Sequence, residues 1–422
     1  MNANLSTIAA AFLFVREEIA MNTIKQIYCR TFQTAFRVAL PVLPYRNPKI
    51  LNQVTELPDL LDKIGAKHPL IVTDSVLRSL GITQKLETAL CKANITFSIY
   101  DKTEQNPTTQ MVEEALTVYH NSKCDCLIAF GGGSPMDCAK AVGARLSRPE
   151  KSLAEMAGIL KVRKKTPTII AIPTTAGTGS ETTLAAVIVD ANTHHKYVIN
   201  DFALIPDYAV LDSALIHSLP PLIAAATGMD ALTHAVEAYI GCSTTKETRS
   251  DAIEAVKLIF ENIEDAVINK TPLSEENMLK ASHLAGRAFT RSYVGYVHAV
   301  SHSLSGQYNM PHGLTNAILL PIVLEMYGPT VYKKLSKLAL AVNLGNKEES
   351  EKVLAERFIQ SIYSLNSKLG IPSSIDGIHK QDIDKLASYA DKEANPLYPV
   401  PVLWNTEELK EIYRKAAIIH EC

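Results

Sequence analysis

The sequence predicts a two-part fold, an α/β half built on a mostly parallel sheet followed by an all-helical half. Three observations carry this. Short β-branched runs alternate with helical stretches from about Leu70 to Asp212, strand signals stop at Leu219-Pro220-Pro221, and long apolar-periodic segments continue to about residue 420. At 422 residues the chain exceeds what one hydrophobic core usually supports. The expected division is an N-terminal extension or arm over residues 1–45, an α/β domain over 46–215 and a helical domain over 216–422.

In chain order, Ile8 to Val15 is apolar, but no basic stretch precedes it and Arg16-Glu17-Glu18 follows without a small-residue cleavage site. It is too short to span a bilayer and fits a signal peptide poorly, and Met21 is an alternative start. Ile24 to Leu43, with Arg30 and Arg37 on an amphipathic pattern, suits an arm packed on a partner subunit or a surface helix. LIVTD (70–74), TFSIY (96–100), CLIAF (126–130), TIIAI (168–172) and YAVLD (208–212) read as buried strands, and the first four are spaced for crossover helices. AAVIVD (185–190) and KYVIN (196–200) read as an added hairpin. Apolar residues at 47%, charged residues at 20% and a net charge of -2 describe an ordinary globular protein and give no reason to expect nucleic acid or an anionic membrane as partner. Seven scattered cysteines without a CxxC read as reduced packing residues of a cytoplasmic protein.

Two glycine-rich loops follow strands. In AFGGGSPMDCAKAVG, Ser134, Pro135 and Asp137 have the order of an N-cap, a first-turn proline and an acidic third residue. Gly132 and Gly133 let backbone N–H groups approach an anion at a helix N-terminus, which suits a pyrophosphate, although the spacing is not G-x-G-x-x-G. IPTTAGTGSETT offers the hydroxyls of Thr174, Thr175 and Thr178 at the end of a neighbouring strand. Either loop alone also reads as a plain connection; two together favour a dinucleotide site. Asp74 ends the first strand, where it can accept hydrogen bonds from an adenosine ribose, which favours NAD over NADP. Capping of the helix that starts at Ser75 is the competing role.

The helical half concentrates polar groups in apolar segments. Asp230 and His234 in GMDALTHAVEAY stand four apart and share a helix face, and His298 and His302 repeat that spacing. His312 follows in a Pro-Gly turn. Any one of these histidines reads most simply as a satisfied core residue. As a set, three imidazoles and a carboxylate suit a borderline divalent cation such as Fe2+ or Zn2+. His302 is left over, with a supporting or proton-transfer role. His217, His283 and the pair His194-His195 lack such context.

From about Asn47 onward the chain resembles the iron-dependent (group III) alcohol dehydrogenases, through GGGSPMDCAK, IPTTAGTGSE, GMDALTHAVEAY and HAVSHSLSGQYNMPHG together with their spacing. The resemblance implies a Rossmann-like N-terminal domain, an all-α C-terminal domain and a metal site in the cleft between them. It also implies that Asp230, His234, His298 and His312 hold the metal and that His302 lies near the nicotinamide. Asp74, Asn106 in QNPTT, Gly132, Gly133, Ser134, Asp137, Thr174, Thr175, Thr178 and Lys196 would contact the cofactor. The expected activity is reversible hydride transfer between a short-chain primary alcohol and NAD, the cation polarising the substrate oxygen. Phe289, Tyr293 and Val294 suggest an apolar substrate wall. A homodimer or larger homo-oligomer is implied. Glycerol or another polyol is the alternative substrate. A dehydroquinate synthase-type lyase would need basic residues that the segments around Asp230, His298 and His312 do not offer, and a non-catalytic assembly module would have no need of the ligand set.

Overall fold

The computed structural model describes residues 23–191 and 196–418. The apolar stretch Ile8 to Val15, Met21 and the pair His194-His195 lie outside those residues. The strands are β1 (Lys49–Leu51), β2 (Pro69–Val72), β3 (Ser98–Tyr100), β4 (Cys126–Gly131), β5 (Gly158–Ile159), β6 (Ile169–Pro173), β7 (Ala185–Val189), β8 (Lys196–Asn200) and β9 (Tyr208–Val210). One sheet runs β1-β9-β6-β4-β2-β3 with every pairing parallel. The first helices are α1 (residues 23–39), α2 (Leu57–Ile64), α3 (Ser75–Ser79), α4 (Gln84–Lys92), α5 (Thr109–Asn121) and α6 (Gly133–Ser147).

The near-continuous apolar runs are explained by burial on both faces of a parallel sheet. Leu70, Val72, Leu127, Ala129, Ile169 and Ala171 share a core with Val112 and Leu116 of α5 and Met136 and Val142 of α6. The alternate residues Ile71, Ile128, Phe130, Ile170 and Ile172 pack on Leu57 and Leu61 of α2 and Leu86 and Leu90 of α4. The chain reverses its direction of growth across the sheet between β2 and β4, since β3 lies on one side of β2 and β4 on the other. Loops after those two strands therefore flank a crevice.

The expected hairpin is antiparallel β7 and β8, and β5 adds a third strand to that small sheet. Two strands escaped the sequence reading: β1, whose burial pattern leaves one of three residues inside, and the exposed two-residue β5. Gly132, not Ser134, is the N-cap of α6, and no side chain caps it. Gly131 lies at φ +152°, where a Cβ would come 2.6 Å from Pro135 Cγ, so the glycines let the backbone enter the helix early and leave Ser134 within its first turn.

The second half consists of α7 (Pro221–Ile240), α8 (Lys246–Ile268), α9 (Pro272–Ser292), α10 (Tyr296–Tyr308), α11 (His312–Tyr327), α12 (Pro329–Ala341), α13 (Glu351–Lys368), α14 (Ile383–Ala394) and α15 (Thr406–Ala416) around one core. α7 is buried from Gly228 to Ile240, which accounts for its apolar sequence and makes its few polar residues conspicuous. His312 is not in a turn but opens α11, behind Pro311. α1 lies against the helical half of its own chain. Among the described residues no helix is long and apolar enough to cross a membrane.

Candidate metal centre and cofactor cleft

α7, α10 and α11 bring Asp230, His298 and His312 together, with one ligand atom of each within 4.8 Å of the others. Asp230 Oδ1 stands 3.8 Å from His298 Nε2 and 3.7 Å from His312 Nε2. All three atoms point at the buried amide nitrogen of Asn316, at 2.7 Å from Asp230 Oδ1, 3.2 Å from His298 Nε2 and 3.0 Å from His312 Nε2. An amide nitrogen has two hydrogens for these three acceptors, so the cage offers more lone pairs than Asn316 can satisfy. That surplus of converging acceptors fits a cation.

His234 borders the cluster. Its ring stacks on Phe289 at 4.1 Å and lies 4.4 Å from the His298 ring. Its Nδ1 is 4.0 Å from Asp230 Oδ2 and is buried without a hydrogen-bond partner. A buried polar atom left bare is costly, and a cation would relieve it. Burial pushes the histidines toward the neutral form that ligates metal: His298 well below the usual range, His312 and His234 also downward, with Asp230 opposing the shift in the last two.

Partners that sequence reasoning missed orient these rings. Glu237 Oε2 accepts from His298 Nδ1 at 2.6 Å and from Gly295 N at 2.8 Å, and Oε1 accepts from Val297 N at 2.8 Å. One carboxyl group thus caps α10 and leaves the lone pair of His298 Nε2 facing the cage. Burial raises the Glu237 pKa, while the donors aimed at both of its oxygens oppose the shift and favour the carboxylate that accepts from them. Ser301 Oγ lies 3.1 Å from His312 Nδ1, and Glu393 Oε1 lies 2.5 Å from His302 Nδ1. His302 stacks on His312 at 4.9 Å between ring centroids. Glu237 follows His234 by three positions and Asn316 follows His312 by four, so helical spacing was the signal available for both.

Beside this cage, the loops after β2, β4 and β6 form the cleft. Asp74 follows β2 and its Oδ1 accepts from Leu77 N at 2.8 Å, so it does cap α3. A Cβ on Gly132 would meet Thr175 at 3.6 Å and one on Gly133 would meet Thr178 at 3.3 Å, which places the two glycine loops in contact. Thr174 N donates to Gly131 O at 3.1 Å. A Cβ on Gly177 would come 2.6 Å from Thr227 O of α7, so the second loop touches the helix that carries Asp230. Asn106 sits at φ +59°, accepts from Lys196 Nζ at 2.9 Å and donates to Asn309 Oδ1 at 3.2 Å, which links the two halves. Asp137 instead supports the loops from beneath. It accepts from Ser180 Oγ at 3.3 Å, and burial pushes its carboxyl up to about 6 while Lys140 opposes. Fully buried Lys140 donates to Ser180 O at 2.6 Å and Thr183 Oγ1 at 2.8 Å.

The family model described as iron-containing alcohol dehydrogenase matches residues 50–213, and that of the C-terminal part of the Fe-containing alcohol dehydrogenases matches residues 224–417. The chain belongs to the iron-containing alcohol dehydrogenase family. It is 37% identical to a 1,3-propanediol dehydrogenase of Citrobacter freundii over 90% of this chain and 98% of that protein. It is 35% identical to an NAD-dependent methanol dehydrogenase of Bacillus methanolicus over 80% of this chain and 89% of that protein. The solved alcohol dehydrogenase of Oenococcus oeni superposes with a TM-score of 0.84 at 32% identity, over 88% of this chain and all of that one (100%). As a member of the family the protein is an NAD-linked oxidoreductase of alcohols and aldehydes that uses Fe2+.

Proposed function

We propose that the protein interconverts short-chain primary alcohols and their aldehydes at the cage formed by Asp230, His298 and His312. The single observation that carries this is the convergence of these three acceptor groups on one point, beside loops suited to a dinucleotide. Asp230, His234, His298 and His312 are the proposed Fe2+ ligands, and the same N/O donor set would accept Zn2+ in its place. When bound, the cation supplies Lewis-acid polarisation of the substrate oxygen.

The remaining work falls to the chain. Gly132, Gly133 and Ser134 would present N–H groups of the α6 N-terminus to the pyrophosphate, and Thr174, Thr175 and Thr178 would supply hydroxyls along the cofactor. The second carboxylate oxygen of Asp74 remains for a ribose hydroxyl. Lys196 and Asn106 would contact the cofactor where the halves meet, and Asp137 would act through the loop above it. Glu393 holds the Nδ1 proton of His302, which leaves Nε2 to exchange the substrate proton. Phe289 against His234 supports an apolar wall and a small substrate.

We further read the chain as residues 1–45, 46–215 and 216–422, cytoplasmic and homo-oligomeric. Cys29, Cys91, Cys124, Cys126, Cys138 and Cys242 are all unpaired, which suits a reducing compartment. The test is metal analysis of protein purified without oxygen, coupled to NADH consumption over a panel of small aldehydes. One equivalent of Fe2+ or Zn2+ and preferential turnover of two- to four-carbon aldehydes are expected. Full activity in metal-free protein, or preference for a phosphorylated or bulky substrate, would defeat the reading.

A further inference from the structure

α1 grips segment 396–401 of its own chain. Arg30 donates from Nη1 to Val400 O at 2.7 Å and from Nη2 to Pro401 O at 2.9 Å, so its planar fork engages two successive carbonyls. Gln33 is buried; its Nε2 donates to Tyr398 O at 2.7 Å and Pro396 O at 3.3 Å, and its Oε1 accepts from Arg30 at 2.8 Å. Lys25 pairs at 2.6 Å with Asp391, two positions before Glu393 on α14. Phe36 meets Tyr293 edge-on at 5.1 Å. A solvated surface helix does not need a fully engaged buried amide and a forked guanidinium on one short stretch of backbone.

The gripped segment leads into the active site. Tyr398 OH donates to Glu393 Oε1 at 2.7 Å, and the same oxygen holds His302 Nδ1. Tyr293 lies at φ +58°, a strained region for a non-glycine residue that persists only where its surroundings enforce it. Its ring is bracketed by Phe36 and by Tyr398, the latter at 6.3 Å. The matched N-terminal family region begins at residue 50, beyond α1.

We propose that α1 is a positioning element of the active site: through Arg30 and Gln33 it fixes segment 396–401, so that Tyr398 holds Glu393 and Glu393 holds the His302 ring over His312. This rests on the reading of His302 as the proton-transfer residue. The test uses full-length Arg30→Ala/Gln33→Ala, Tyr398→Phe and His302→Ala, alone and combined, with kcat, KM, NADH affinity, metal content and Tm measured for each. The clamp variants should lower kcat by about 3–10-fold with NADH affinity and metal content unchanged, the scale expected when a group near the chemistry loses its alignment. In the His302→Ala background they should have no further effect on kcat, because the path ends at that ring. A helix that only stabilises the fold would lower Tm and leave kcat intact, or act additively with His302→Ala; either result overturns the proposal. Should the double variant not fold, Tyr398→Phe and Arg30→Lys, which cannot fork onto two carbonyls, carry the same test. Unchanged kcat in His302→Ala would overturn the proton-transfer reading and the clamp with it. Slowed His302→Ala beside unaffected clamp variants would overturn the clamp alone.

Discussion

Glu237 is the residue on which the orientation of His298 turns. As a carboxylate it accepts from two backbone N–H groups and one imidazole nitrogen. Glu237→Gln keeps the volume but turns one end into a donor that faces N–H groups, so either the α10 cap or the imidazole contact is lost. Metal affinity should fall by about 10–100-fold, the usual effect of removing such a supporting carboxylate. Competition with a chromophoric chelator reads this without turnover, and unchanged affinity would refute the role. Asp137 supports a second test at this scale, through pH. Its folded-state pKa is raised from 3.8 to about 6, so the folded protein binds more protons than the unfolded chain across that interval. Its favourable contribution is complete below about 4 and is lost as pH rises through 6. The stability difference between wild type and Asp137→Asn should therefore change by roughly 2–3 kcal/mol between pH 4 and 7, wild type losing ground as pH rises. Urea midpoints at the two pH values measure it, and parallel curves would contradict it.

At the scale of elements, the second glycine loop is set on the helical half by backbone contact. Gly179 lies at φ +57°, where a Cβ would come 2.7 Å from Gly286 Cα of α9, and a Cβ on Gly286 would run into Thr182 Oγ1 and lie 2.8 Å from Gly179 O. Gly286→Ala should push the loop off α9 and displace Thr174, Thr175 and Thr178. Overpacking of this kind costs about 1–3 kcal/mol, which corresponds to roughly tenfold weaker NADH binding per 1.4 kcal/mol. Fluorescence titration checks this, with metal content expected to hold; intact NADH affinity would show that the contact is dispensable. This loop also shows what the sequence made legible. Its strand, its glycines and its hydroxyls could be read locally, as could β2, β4 and β6, because burial on both faces leaves continuous apolar runs. Asp230, His298 and His312 were legible because they interrupt apolar helices at helical spacing. His302 was legible too, but its partner Glu393 is 91 positions away and nothing local announces the pair. The His283–Glu181 contact, 102 positions apart, was invisible for the same reason. Ser134 was misplaced as a cap because composition at a helix start cannot distinguish a hydroxyl cap from a glycine entry two residues earlier. β1 was missed because an edge strand with one buried residue leaves almost no periodic signal.

Across the whole molecule, the proposed metal ligands all come from helices of the second half, while most proposed cofactor contacts come from loops of the sheet half. The two binding events should therefore be largely separable. A cation bound only by the folded state adds about 2.7 kcal/mol at a hundredfold excess over Kd. For a unit the size of the helical half this is on the order of 5–10 °C in Tm. Stripping the metal should lower the melting transition by that amount, and re-addition of Fe2+ or Zn2+ should restore it. NADH affinity of the stripped protein should change by less than about threefold, because the cofactor loops and the cage draw their contacts from different elements and share few partners. The exception is the bridge in which Asn106, held by Lys196, donates to Asn309 at the end of α10. If loss of the cation lets α10 shift, this bridge is the route by which the sheet half would register it. Asn309→Ala should then abolish whatever residual coupling remains, with both sites still able to bind their own ligand. Equal Tm with and without metal would refute the shared cage, and a large loss of NADH affinity on stripping would refute the separation of the two sites.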